Sequence, residues 1–291
     1  MTINCPVCGA ALVGGLTDWH KKCRNCHYEC SIGSPCINDS DAHATVDETN
    51  RSTGLATLRK ANFRMIIEQI KALHIPRNAL ILDVGCAHGW FLELANQDFT
   101  TLGIEPDINI YRQTKDHGLQ VRNGFFPDVL DGYEKFSLVV FNDVLEHIPD
   151  IRSTIQAVHK HLTNDGVMVV NIPVSTGFFY KTSKILYKFG IFNPFYRLWQ
   201  VGFPSPHLHY FYGDNLTSLV EANGFELLKN HTLPSLHSDG IKERIDYGHK
   251  PKPLVTWFMA AILKLLIPVF NILPADIEVF YFKKMDTIHK L

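Results

Sequence analysis

The chain has 291 residues, 46% hydrophobic and 20% charged, with a mean hydropathy of -0.02, a balance that excludes both a disordered chain and a multi-span membrane protein. Its 28 Lys and Arg offset 29 Asp and Glu to a formal net charge of -1, so no global basic surface argues for a nucleic-acid partner. The length allows one sizeable core with a small appendage. Met1-Thr2-Ile3-Asn4-Cys5 has neither a basic start nor an apolar run, which makes the cytoplasm the expected compartment.

Six of the seven cysteines, Cys5, Cys8, Cys23, Cys26, Cys30 and Cys36, fall in the first 36 residues. With no secretory start, a metal explains the cluster better than disulfides. Cys5-Pro-Val-Cys8 and Cys23-Arg-Asn-Cys26 are two C-x2-C knuckles with fourteen residues between them. Each aims two thiolates at one ion, and together they complete the tetrahedral sulfur shell that structural Zn2+ prefers. Gly9 and His27, just past each knuckle, suit tight turns around the metal. A segment this short buries too little apolar surface to fold alone, so bound zinc would supply its folding energy. Cys30, Cys36, His20 and His27 are substitute ligands or bystanders. The expected organisation is a zinc-binding, zinc-ribbon-like module over 1–37, a polar linker over 38–57, and a large domain over 58–291.

From Leu58, apolar residues at Phe63, Ile66, Ile67, Ile70 and Leu73 recur at helical steps until Pro76. Short β-branched runs then alternate with amphipathic stretches. Strands are predicted at Leu80–Val84, Thr101–Glu105, Leu119–Arg122, Leu138–Asn142, Val167–Ile172, Phe225–His231 and Ile277–Lys283. Helices are predicted at Trp90–Gln97, Asp107–His117, Ile151–Leu162 and Asp214–Asn223. That alternation predicts an α/β, doubly wound, mostly parallel sheet with helices on both faces. Two stretches interrupt it: an aromatic insert over 178–201, interleaved with Lys181, Lys184, Lys188 and Arg197, and an apolar helix over 254–273 carrying one charge, Lys264, and Pro268. Either both are core or covering helices, or they form an apolar, basic-rimmed surface for a membrane face or lipid-bearing substrate.

The chemistry concentrates at Ile81-Leu82-Asp83-Val84-Gly85-Cys86-Ala87-His88-Gly89-Trp90, a strand running into a glycine turn and then a helix. Glycines there let backbone approach a ligand and expose N–H groups at the helix start. Twenty positions after Gly85, Glu105 ends the next strand, where an acid accepts both ribose hydroxyls of an adenine-containing cofactor.

The acid-x-Gly spacing of Asp83 and Gly85, with Gly89 beyond, resembles motif I of the class I S-adenosylmethionine (SAM)-dependent methyltransferases. The resemblance runs over roughly 58–284. It includes Phe141-Asn142-Asp143-Val144-Leu145-Glu146-His147-Ile148-Pro149-Asp150, which looks like the family's segment after the fourth strand, and Pro206-His207-Leu208-His209-Tyr210-Phe211, which with the following helix and Asn223-Gly224-Phe225 is similar to the family's small-molecule branch. The chain departs from the motif at Ala87, where the family has its middle glycine. An alanine fits if that residue keeps a negative φ.

The resemblance implies a seven-stranded, Rossmann-like methyltransferase fold whose last strand inserts antiparallel. It also implies that Asp83, Gly85, Gly89, Glu105 and Asn142 bind SAM, with Phe125 and Phe126 available to cover the adenine. Cys86 is expected to be a small packing residue. An acceptor hydroxyl would need a base, for which His147 and His209 are the candidates. The expected activity is methyl transfer to a small-molecule acceptor, a sugar or a lipid-linked intermediate, with peripheral contact at the inner membrane face and no nucleic acid. Two alternatives stay open: an rRNA methyltransferase, some of which also begin with a zinc site, and a non-catalytic SAM-binding adaptor.

Overall fold

The computed structural model describes residues 3–37, 48–237, 241–242, 245, 253–270 and 272–286. Among these, strands form two sheets. The larger follows the sequence pattern closely. It contains β4 (Leu80–Val84), β5 (Thr100–Glu105), β6 (Val121–Asn123), β7 (Phe136–Asn142), β8 (Leu162–Pro173), β10 (Phe225–Leu233) and β11 (Ile277–Lys284). The strand order is β10-β11-β8-β7-β4-β5-β6. The pairs β4–β5, β4–β7, β5–β6 and β7–β8 are parallel, while β11 is antiparallel to both β8 and β10. Chain order thus reverses between β4 and β7, the topological switch point at which open α/β sheets bind ligands.

Period-two alternation divides the sheet's side chains between two cores. From β8, Met168, Val170 and Ile172 face one core while Val167 and Val169 face the other; Phe280 and Phe282 oppose Val279 and Tyr281 on β11. One face is covered by α1 (Glu48–Lys71) through Phe63, Ile66, Ile67 and Ile70, and by α2 (Trp90–Ala95) through Phe91 and Ala95. On the other lie α4 (Ile151–His161) and α7 (Gly213–Glu221), through Ile155, Val158, Leu216 and Leu219. The nine-residue α3 (Ile108–Asp116) begins at an N-cap, Asp107, whose carboxylate accepts from the Asn109 and Ile110 N–H groups.

The small sheet holds β1 (Val13–Gly14), β2 (His20–Lys22), β3 (Glu29–Ser31) and β9 (His209–Tyr210). β9 belongs to the large domain and pairs antiparallel with β3, so the amino-terminal segment completes its sheet with a strand from about 180 residues downstream. The knuckles are fastened to the same body. Arg152 Nε donates to the Pro6 carbonyl at 2.6 Å, and Asn215 Nδ2 donates to the Cys26 carbonyl at 2.9 Å.

The aromatic insert folds as α5 (Phe178–Lys188) and α6 (Asn193–Leu198). Its Tyr180, Phe195 and Trp199 pack with Tyr210 of β9, and Leu16 and Trp19 of the amino-terminal segment pack against them. The insert therefore supplies a core for the small sheet. The apolar stretch is α8 (Pro253–Phe270). No helix of the described residues is long and apolar enough to cross a membrane.

Of the expected linker, residues 38–47 lie outside the described residues, and 48–57 open α1. The helix begins ten residues before the apolar stripe because its first turns are polar, and an apolar period cannot register them.

Candidate functional site

A cavity of about 810 Å3 lies at the carboxyl ends of β4, β5 and β7. The five residues expected from the motif, Asp83, Gly85, Glu105 and Asn142 with the Gly89 turn, converge there; all but Gly89 line it directly. Gly85 and Gly89 have φ of 69° and 73°. A Cβ on Gly85 would stand 2.7 Å from Val144 Cγ2, and one on Gly89 2.3 Å from Leu119 Cδ1, so glycine is required on both conformational and steric grounds.

Ala87 contradicts the expectation of a negative φ: its φ is 45°. A left-handed alanine costs about 1–2 kcal/mol, and the turn holds it there by both its backbone groups. Ala87 N–H donates to Glu105 Oε2 at 2.9 Å, and its carbonyl accepts from Thr114 Oγ1 at 2.7 Å. Cys86 is buried, and its Sγ occupies the space left by Gly103, where a Cβ would approach to 2.6 Å. It packs as expected.

The two acids are buried, and their hydrogen bonds come from backbone N–H groups and an amide. Glu105 accepts from the Ala87 and Asp107 N–H groups, and Asp83 Oδ1 accepts from Asn142 Nδ2 at 3.2 Å. Burial pushes Asp83 up to about 8, against the Asn142 hydrogen bond and with the Glu105 charge adding to it. Burial likewise lifts Glu105 to about 7, opposed by its two backbone donors. Two hydrogen bonds leave a carboxylate with accepting capacity unused, and Asn142 Oδ1 is buried with no hydrogen-bond partner. These are the features of a place built for a polar, cationic ligand, so the residues present fit SAM.

Phe125 and Phe126 both line the cavity, but they differ. Phe126 packs edge-on against Phe141 at 6.1 Å in the core, whereas Phe125 is 54% exposed. Phe125 is the one left to stack on a ligand.

The candidate bases separate as well. His147 lines the cavity, with Nδ1 donating to the Pro206 carbonyl at 2.8 Å. His209 does not line it. Its Nε2 donates to the Ile148 carbonyl at 2.8 Å, and its Nδ1 accepts from the Tyr28 hydroxyl. Burial lowers it to about 4. With both nitrogens committed in the joint between β3 and β9, it is a structural histidine, and the expected acid–base role does not fit it.

Sequence reasoning missed several lining residues. Arg59 and Phe63 come from α1, Pro35 and Ile37 from the end of the amino-terminal segment, Gln200 from the end of the insert, and Phe203 and Pro204 from the stretch after it. Cys36 N–H donates to the Pro204 carbonyl at 2.8 Å, tying two of these walls together. No motif spacing joins segments so far apart in sequence. A second cleft of about 410 Å3, lined by Tyr212, Asp214, Asn230 and Glu278, contains none of the expected residues.

At the other end, Cys5, Cys8, Cys23 and Cys26 place their sulfurs within 4.8 Å of one another, with Cys5–Cys26 and Cys8–Cys23 each at 3.5 Å. None is in a disulfide. Four sulfurs about 2.3 Å from one Zn2+ stand about 3.8 Å apart, so the group fits a tetrahedral ion. Gly9 and His27 take φ of 75° and 59°, closing the two knuckles alike. His20 is not a ligand; its Nε2 donates to Glu29 at 2.8 Å and its Nδ1 accepts from Leu16 N–H.

A family described as a methyltransferase domain matches residues 58–230, more than half of the chain. The chain belongs to the class I SAM-dependent methyltransferases. Solved structures of similar fold include a SAM-dependent methyltransferase, possible histamine N-methyltransferase, from Thermotoga maritima (TM-score 0.54, 14% identity, 84% of this chain and 99% of that one). Magnesium protoporphyrin IX methyltransferase from Synechocystis, with bound SAH, is another (0.53, 10%, 79% and 85%). A third is the cyclopropane synthase MmaA2 from Mycobacterium tuberculosis (0.52, 14%, 87% and 90%). No protein of curated function matches the chain. The methyltransferase's fold and enzyme class are thus established, and these distant likenesses establish nothing finer.

Proposed function

We propose that this methyltransferase moves a methyl group from SAM to a small-molecule acceptor of the sugar or lipid-linked class. The observation that carries the SAM site is the pair of buried carboxylates, Asp83 and Glu105, at the ends of adjacent parallel strands. SAM supplies a sulfonium methyl that is already electrophilic. Glu105 accepts the ribose hydroxyls, Asp83 and Asn142 receive the polar methionine end, and the turn from Gly85 to Gly89 brings backbone close to it. Phe125 covers the adenine. The remaining walls keep water out and hold the acceptor in line, and His147 is the base within reach.

The lipid-linked part of this reading is supported by surface chemistry. On α8, Leu254, Trp257, Phe258 and Leu265 are exposed, and on the insert Ile185, Phe189, Ile191 and Phe192 are exposed beside Lys188 and Arg197. Phe270, at the end of α8, lies 5.3 Å ring to ring from Phe179 at the start of α5, so the two helices that carry these residues touch at one end. An apolar surface rimmed by cations fits the interface of an anionic membrane. The four cysteines hold one structural Zn2+ that fixes the amino-terminal segment against α4 and α7.

The test is transfer of labelled methyl from SAM into fractionated source-cell extract, with co-sedimentation on anionic vesicles in parallel. Label in the lipid or small-molecule pool supports the reading. Label in RNA replaces it with RNA methylation, and SAM binding with no label in any pool leaves an adaptor.

A further inference from the structure

Glu146 is an anomaly in the cavity wall. Its side chain is 0% exposed, and neither carboxylate oxygen has a hydrogen-bond partner. Leaving a carboxylate so placed is costly unless something electropositive meets it. Arg59 acts on it only as the weakest of the causes that move its pKa, and the nearest ring nitrogens, His147 Nε2 and His207 Nε2, each lie 3.9 Å from Glu146 Oε1. The two rings are 4.7 Å apart, and one ligand atom from each of the three residues falls within a 4.8 Å cluster.

The protons are arranged for something other than mutual hydrogen bonding. Since His147 gives its Nδ1 proton to the Pro206 carbonyl, its neutral ring carries the lone pair on Nε2, the nitrogen nearer Glu146. A backbone carbonyl fixing the far nitrogen is how proteins orient metal-ligating histidines. His207 Nε2 lies 2.8 Å from Gln200 Nε2, so it too acts as an acceptor, with its lone pair turned to an electropositive group. The Glu146 carboxylate and the Nε2 atoms of both histidines thus border one space, the His207 nitrogen being held there by the Gln200 amide. A proton on Glu146, which burial favours, would remove the charge but still leave the carboxyl without a hydrogen bond to either nitrogen at 3.9 Å.

We propose that Glu146, His147 and His207 form a second metal centre, a two-histidine, one-carboxylate site for a divalent first-row cation, opening on the cavity. Ligand atoms about 2.1 Å from one ion stand no more than about 4.3 Å apart, and the two 3.9 Å separations fall inside that span. Three protein ligands leave positions open. All three residues line the cavity, as does Asp143, whose ion pair with Arg59 at 3.4 Å places further charge nearby. The Gln200 amide gives way to the ion at His207.

The use of this site rests on the methyl-transfer reading. The ion holds an acceptor hydroxyl and acidifies it. The O–H proton leaves to water, the oxygen takes the methyl carbon, and the electron pair of the broken carbon–sulfur bond stays on sulfur. Coordination occupies the lone pair that His147 would use as a base, so the ion replaces that role.

The experiment is titration of the zinc-loaded protein with Mn2+, followed by the electron paramagnetic resonance of the free ion. Mn2+ avoids the four thiolates. Wild type should bind one saturable equivalent, and Glu146→Gln and His207→Gln should each weaken it at least tenfold. Circular dichroism confirms that each variant folds. Absence of saturable binding by Mn2+, and by Co2+ in the same assay, overturns the proposal; so does binding that neither substitution changes. SAM affinity is measured on the same three proteins. A chain that binds Mn2+ as expected but no SAM keeps the metal centre and loses the methyl-transfer reading.

Discussion

The joint and the cavity both bury carboxylates, and they treat them in opposite ways. At the joint, Glu29 of β3 accepts from His20 Nε2 at 2.8 Å, the Tyr180 hydroxyl at 2.8 Å and Lys184 Nζ at 2.6 Å. Burial alone would raise its pKa, but the His20 hydrogen bond and the Lys184 charge overcome it and hold the carboxyl at about 2. In the cavity, Asp83, Glu105 and Glu146 are as deeply buried with no hydrogen bond from a cationic side chain among the described residues; Arg59 and His88 act on Glu146 and Glu105 only as weaker through-space charges, and burial drives all three upward. A fully partnered buried charge fixes how elements meet; an unpartnered one marks where a ligand completes the structure.

The largest effect should come from the metal end of the joint. Metal analysis should find one zinc per chain, and replacing Cys5 and Cys8 together with serine should abolish it and lower the unfolding midpoint by more than 10 °C, since metal binding is folding energy in so small a segment. A metal-free protein of unchanged stability would dissolve the contrast at that end.

Next comes Glu29→Gln, which leaves Lys184 and His20 without their anion. The shift of Glu29 from 4.5 to about 2 corresponds to about 3 kcal/mol. Its folded pKa lies below the unfolded one, so this stabilisation is complete above about pH 4.5 and disappears as pH falls toward 2. Denaturant titrations should show wild type exceeding the variant by about 3 kcal/mol at pH 7 and converging with it near pH 2. Equal stabilities at pH 7 would mean that Glu29 is not the keystone described.

The smallest effect sharpens the cavity side. Ala87→Gly relieves the left-handed alanine and should raise stability by up to about 1 kcal/mol, net of glycine's greater freedom when unfolded. SAM affinity should stay within threefold, because the turn's two hydrogen bonds use backbone atoms only. A large loss of affinity would show that the Ala87 methyl itself contacts the cofactor.

The sequence showed what is local. Every strand of the large sheet was visible, because β-branched runs and period-two alternation lie within a few residues of one another, and the ends of β4 matched to the residue. The glycine turn and Glu105 were visible because their spacing is set by a single β-turn-α-β passage. The small sheet was not: its strands are two or three residues long, too short for a period, and one comes from the far domain. Glu29 meets Tyr180 and Lys184 across about 150 residues, and Glu146 meets His207 across about 60. No spacing rule reaches that far. The same distance explains His209, whose partner Tyr28 lies 181 residues away. It also explains the aromatic insert, whose buried rings serve the small sheet.

The most direct test of the cavity's meaning is calorimetric SAM binding to wild type and Glu105→Ala. Losing two charge-assisted hydrogen bonds to the ribose should weaken affinity about 100-fold in a variant that still folds. Unchanged affinity would contradict the account, since a buried acid that the cofactor does not need would be mere architecture, like Glu29.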